Sequence, residues 1–153
     1  LMRPNWQLVA GDASSLSLDE LAPGAPHEPL FVIVEGLLMY LDAGTQQTLF
    51  KNMVTHFHKR QSGTLVFDLV PTCEQTHPGA VGIILEWLMK RFTGGQAFER
   101  DLRTRNDIVQ DLLESGFDEV EILEPKDTAV RFSLPFPNVH TQQVVFVARC
   151  FER

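Results

Sequence analysis

The stretch that most restricts what this chain can fold into is 29–41, Pro-Leu-Phe-Val-Ile-Val-Glu-Gly-Leu-Leu-Met-Tyr-Leu. Residues 30–34 are uninterruptedly apolar and rich in β-branched side chains. A run of that kind, without polar alternation, reads as a strand buried on both faces, which is the habit of parallel sheets. Glu35 ends the run abruptly. Open α/β sheets bind their ligands beyond the carboxyl ends of the strands. A carboxylate at that point is therefore a candidate ligand contact, and equally a solvated strand end. Gly36, one residue on, has no side chain and lets backbone or ligand come close. Leu37, Leu38 and Leu41 carry an apolar face into the next element.

The rest of the chain repeats strand and helix signals in alternation. Residues 6–9 read as a short strand followed by Gly11-Asp12-Ala13, where Asp12 is again a carboxylate just past a strand end. A turn or helix cap would use Asp12 in the same way. The loop holding Pro23, Gly24, Pro26 and Pro29 cannot continue a helix. After the central strand, Asp42 is the expected N-cap of a helix whose apolar stripe is Leu49, Phe50, Met53, Val54 and Phe57. That helix ends in His56-Phe57-His58-Lys59-Arg60, where cations complement its dipole. The two histidines, two residues apart, point in different directions on a helix and do not form a metal pair.

Ser62-Gly63 stops the helix, and residues 64–70 form a second core strand broken near its end by Asp68. Pro78 opens a further helix with the stripe Val81, Ile84, Leu85, Leu88 and Phe92, closed by Gly94-Gly95. Thr104 to Asp107 has the spacing of a capping box. Behind it Ile108, Leu112 and Leu113 are expected to face inward, with Gly116 ending the helix. Residues 117–123 read as a third core strand, 132–138 as a Pro-rich loop and 144–148 as the last strand. The sum is an α/β domain spanning 1–153.

Charge and composition remove several classes of function. The formal charge is −7 and the isoelectric point about 5.1. Duplex nucleic acid demands a cationic face, so no nucleic-acid partner is expected. No apolar stretch is long enough to cross a bilayer, and the first residues lack a basic segment followed by an apolar one. Two cysteines, Cys73 and Cys150, form no spaced metal motif and suit a reducing cytoplasm. The start at Leu1, almost directly in a strand-like segment, is what would be expected of a cut or truncated protein more than of a natural domain boundary. Arg100, Arg103 and Arg105 could attract an anion, but read first as a solvated basic patch.

The ordered motifs resemble one family. Val34-Glu35-Gly36-Leu37-Leu38-Met39-Tyr40-Leu41 is close to a signature of leucine carboxyl methyltransferase-like proteins, which include bacterial O-methyltransferases linked to polyketide biosynthesis. Gly63-Thr64-Leu65-Val66-Phe67-Asp68 and the helix end Ser115-Gly116-Phe117 reinforce it. The resemblance implies the carboxyl-terminal part of a class I methyltransferase, a Rossmann-like sheet ordered 3-2-1-4-5-7-6 with strand 7 antiparallel. On that map 6–9 is strand 3, 30–34 strand 4, 64–69 strand 5, 119–123 strand 6 and 144–148 strand 7.

The same resemblance implies S-adenosylmethionine as cofactor. Asp12 matches the acid that accepts hydrogen bonds from the adenine amino group. Ala13 stands where the family usually has leucine. Glu35 matches the glutamate beside the methionine end, and Tyr40 an aromatic position at the substrate mouth. The methyl acceptor would be a carboxyl or hydroxyl oxygen, on a small-molecule or carboxylate acceptor. A carboxylate acceptor is already ionised at neutral pH, so positioning would supply most of the catalysis.

The family's glycine-rich turn after strand 1 and its acid after strand 2 have no counterpart here. Strands 1 and 2 are therefore expected to be missing, and cofactor binding by this chain alone to be weak or absent. Strand 4 would be left with an open edge that invites self-association. The competing reading is a catalytically inactive remnant that serves as an interaction or structural module.

Overall fold

A computed structural model describes residues 9–11, 28–71, 103–131, 133 and 143–152. Four strands form one sheet: β1 (Leu30–Val34), β2 (Gly63–Leu69), β3 (Glu119–Leu123) and β4 (Val144–Cys150), in the spatial order β1-β2-β4-β3. β1 runs parallel to β2, and β4 lies between β2 and β3, antiparallel to both. Three strands thus share one direction, and the last in sequence is inserted against them. This is the 4-5-7-6 portion of the expected sheet. Residues 6–8 of expected strand 3 and the expected helix from Pro78 lie outside the described residues.

The register explains why the sheet has one well-packed face. Val34 opposes Phe67, Phe67 opposes Phe146, and Leu65 opposes Ala148. Two helices cover that face. α1 (Ala43–His58) buries Leu49, Phe50, Met53, Val54 and Phe57, the stripe read from its periodicity. α2 (Arg105–Ser115) buries Ile108 and Leu112 completely. The Phe67 ring packs between Phe50, at 5.5 Å, and Phe146, stacked at 5.1 Å. Each such side chain contributes roughly 1.5–3 kcal/mol through removal from water.

The helix ends follow local chemistry. The Asp42 carboxylate accepts from the Thr45 amide at 2.9 Å and from its hydroxyl at 2.6 Å. Thr104 and Asp107 form the reciprocal capping box. Gly116 takes φ 108°, a left-handed value that favours glycine, and so ends α2.

Three expectations need correction. Phe31 and Ile33 are 61% and 66% exposed, so β1 is buried on one face only. Burial of both faces needs a layer on each side, and α1 and α2 supply only one. Leu113 is exposed because it sits five residues after Ile108, about 140° around the helix from the inward face. A short helix, α3 (Pro125–Arg131), follows β3 directly where no helix was expected. Pro125 at its first position and Asp127 in its first turn were its sequence signals.

Among the described residues β1 pairs only with β2, so its other edge has no strand partner. No helix of the described residues is long and apolar enough to cross a membrane.

Candidate functional site

The topology brings one end of every strand together. β1, β2 and β3 finish where β4 begins, so Glu35, Asp68, Glu124 and Gln143 gather at the same end of the sheet. Glu124 is engaged by Arg105. Asp68 is half-buried and uses both carboxylate oxygens: Oδ1 accepts from the Gly36 amide at 2.7 Å, and Oδ2 from the Gln143 side-chain amide at 3.1 Å. Glu35 is exposed, and among the described residues no hydrogen bond or ion pair engages its carboxylate.

The turn after β1 owes its shape to two glycine-specific facts. Gly36 has φ 63°, which side chains rarely adopt, and among the described residues nothing lies within 4 Å of where its Cβ would be.

A 3-10 turn, Leu38–Tyr40, follows. Leu38 is buried and pins it, while Tyr40 is 43% exposed on the outer side. Gln46 of α1 holds this turn from beneath. It is only 2% exposed, and its Nε2 donates to the carbonyls of Leu38, at 2.9 Å, and Leu41, at 3.0 Å. Its Oε1 accepts from Arg103 at 2.5 Å, and Arg103 also pairs with Asp111 at 2.5 Å.

Glu35 and Tyr40 therefore share one short, braced segment just beyond the carboxyl end of β1. Asp12 and Ala13 lie outside the described residues. Arg103 is not part of a solvated patch, because its side chain is 16% exposed and committed to Gln46 and Asp111. Arg105 is likewise committed, to Glu124, and Arg100 lies outside the described residues. Gln46 went unread in the sequence although it sits three residues before Leu49 and four before Phe50. A polar side chain in phase with an apolar stripe is the signal of a buried hydrogen-bonding role. Among the described residues no cluster of His, Cys, Asp or Glu could hold a metal ion.

No protein-family model matches the chain, and no curated protein does. Solved structures do. An O-methyltransferase candidate from Nostoc punctiforme overlays with a TM-score of 0.55 at 18% identity, over 93% of this chain and 36% of that one. A possible exported protein from Bordetella parapertussis gives 0.55 at 16%, over 92% and 43%. PigF, solved with SAH, overlays too loosely to bear on the fold: 0.47 at 12%, over 80% and 30%. The likeness is one of fold. The chain spans about two fifths or less of the length of these proteins.

Proposed function

We propose that this chain is the carboxyl-terminal portion of an S-adenosylmethionine-dependent O-methyltransferase of the leucine carboxyl methyltransferase-like type. The observation that carries the proposal is Glu35. It is an exposed carboxylate at the carboxyl end of β1, in a sheet ordered β1-β2-β4-β3 with β4 antiparallel. The fold shared with the Nostoc O-methyltransferase candidate supports the reading.

The residues fit the cofactor at its methionine end. An amino-acid ammonium needs an uncommitted acceptor, and Glu35 offers one, while the space at Gly36 admits a ligand against the backbone. Asp12 and Ala13 would serve the adenine. The cofactor, when bound, supplies a methyl group on a positive sulfonium. Tyr40, on the same braced turn, would face the acceptor, a small-molecule or carboxylate oxygen. A cytoplasmic setting agrees with the two cysteines.

Titration calorimetry with S-adenosylmethionine tests this. This chain alone should bind weakly or not at all, and a longer chain carrying a glycine-rich strand-turn upstream should bind at micromolar concentration. Failure of the longer chain to bind would refute the methyltransferase reading.

A second reading rests on β1. Its unpaired edge among the described residues, with Phe31 and Ile33 exposed, favours an interaction or structural module that self-associates. Sedimentation of this chain across a concentration series would then show association, abolished by Ile33→Lys. A chain that stays monomeric throughout would refute it.

A further inference from the structure

We propose that Asp68 is the positioning residue for Glu35, acting through the Gly36 backbone. The inference rests on the reading of Glu35 as the cofactor-facing carboxylate. Of the acids at this end of the sheet, Glu35 and Asp68 follow or end the paired strands β1 and β2, and the structure divides their work. Asp68 has both oxygens committed, one to the Gly36 amide and one to Gln143. Glu35 has neither oxygen committed among the described residues. One carboxylate holds and the other presents.

The hold matters because packing does not supply it. Among the described residues nothing lies within 4 Å of the Gly36 Cβ position, so none of their side chains wedges the turn from that side. Its φ of 63° is a conformation glycine enters and leaves with little cost. A short hydrogen bond to the Asp68 carboxylate, spanning 32 residues of sequence, selects one orientation of the Glu35–Gly36 peptide. The direction of that peptide sets where the Glu35 side chain leaves the backbone. Gln46 fixes the far end of the same turn through the Leu38 and Leu41 carbonyls. Release at Asp68 therefore frees the Glu35 end alone.

The test uses the whole chain as wild type, Asp68→Ala and Asp68→Asn. Amide hydrogen exchange at Gly36, read by NMR, needs no cofactor. Asp68→Ala should speed it at least tenfold while the amides of Leu65 and Phe146 keep their protection. Asp68→Asn retains an acceptor oxygen and should return the rate to within about threefold of wild type. Unchanged exchange in Asp68→Ala, no rescue by asparagine, or lost protection throughout β2 would each overturn the proposal.

The second arm is a chemical-shift titration with S-adenosylhomocysteine of the longer chain that carries a glycine-rich strand-turn upstream. Asp68→Ala should weaken binding about tenfold in the wild-type background and not further in Glu35→Gln. Weakening by Glu35→Gln without any by Asp68→Ala would overturn the proposal. Equal behaviour of wild type and Glu35→Gln would instead overturn the reading of Glu35, while Gly36 exchange still decides the role of Asp68.

Discussion

Substituting Gly63 with alanine adds one methyl group and should cost this protein a large part of its stability. Gly63 begins β2 and does not have a positive φ, so the backbone tolerates any residue. On backbone grounds alone, Gly→Ala would stabilise by about 0.4–1 kcal/mol, by restricting the unfolded chain. The structure reverses that sign. A Cβ at Gly63 would lie 2.0 Å from Cγ of Phe57, 2.2 Å from Cδ1 and 2.4 Å from Cδ2.

Ordinary contact begins near 3.4 Å, so the ring would have to retreat by more than an ångström. It has nowhere to go. Phe57 is 1% exposed and meets Phe117 edge-on with centroids 6.2 Å apart. Overpacking of this kind costs about 1–3 kcal/mol, and a rigid ring against backbone belongs at the upper end. For a chain of this size about 3 kcal/mol corresponds to a fall of roughly 6–12 °C in melting temperature. Urea unfolding of Gly63→Ala, alone and with Phe57→Leu, measures it. The smaller side chain should absorb most of the clash, so the two substitutions should couple favourably by at least about 1 kcal/mol. A Gly63→Ala protein within about 0.5 kcal/mol of wild type, or strict additivity with Phe57→Leu, would refute the reasoning.

Other consequences are as direct. In a longer chain that binds S-adenosylmethionine, Glu35→Gln should weaken binding by about 1.5–3 kcal/mol by calorimetry with melting unchanged. Asp12→Asn should weaken it only when the cofactor carries the adenine amino group, so an inosine analogue should mask that defect. Gln46→Leu takes the Gln46 donor from the Leu41 carbonyl and an acceptor from Arg103, while the Leu38 carbonyl keeps the Leu41 amide and Arg103 keeps Asp111. Urea unfolding should register a loss of about 1–3 kcal/mol.

Acid should loosen the helix starts. Hydrogen bonds from the hydroxyl and then the amide of Thr45 hold Asp42 below the usual carboxylate value of 3.8, and those from the amide and hydroxyl of Thr104 do the same for Asp107. A carboxylate with a lowered folded value stabilises fully above its unfolded value and loses that effect as pH falls through the folded one. Helicity followed by circular dichroism from about pH 5 to about pH 2 should therefore fall less steeply in Asp42→Asn and Asp107→Asn than in wild type.

The elements with local causes were legible in the chain itself. Periodicity located the stripe of α1, because Leu49, Phe50, Met53, Val54 and Phe57 recur at helical spacing whatever covers them. The cap at Asp42, the box at Thr104 and the left-handed stop at Gly116 are settled within four residues of sequence. Glu35 could be singled out because a strand end is visible where an apolar run stops.

Tertiary structure decided what depends on distant partners. Whether Phe31 and Ile33 are buried turns on a second layer over the sheet, and an apolar run looks the same with or without one. Gly63 is glycine because Phe57, six residues earlier, folds back over it. Asp68 looked like an interruption in a strand until β1 was laid beside β2 and brought Gly36 within hydrogen-bonding distance. Arg103 looked like a surface charge until Gln46, 57 residues away, closed over it. Hydrogen bonds and close contacts across such separations leave no periodic trace in a sequence. They exist only once strand pairing and helix packing have fixed which residues are neighbours.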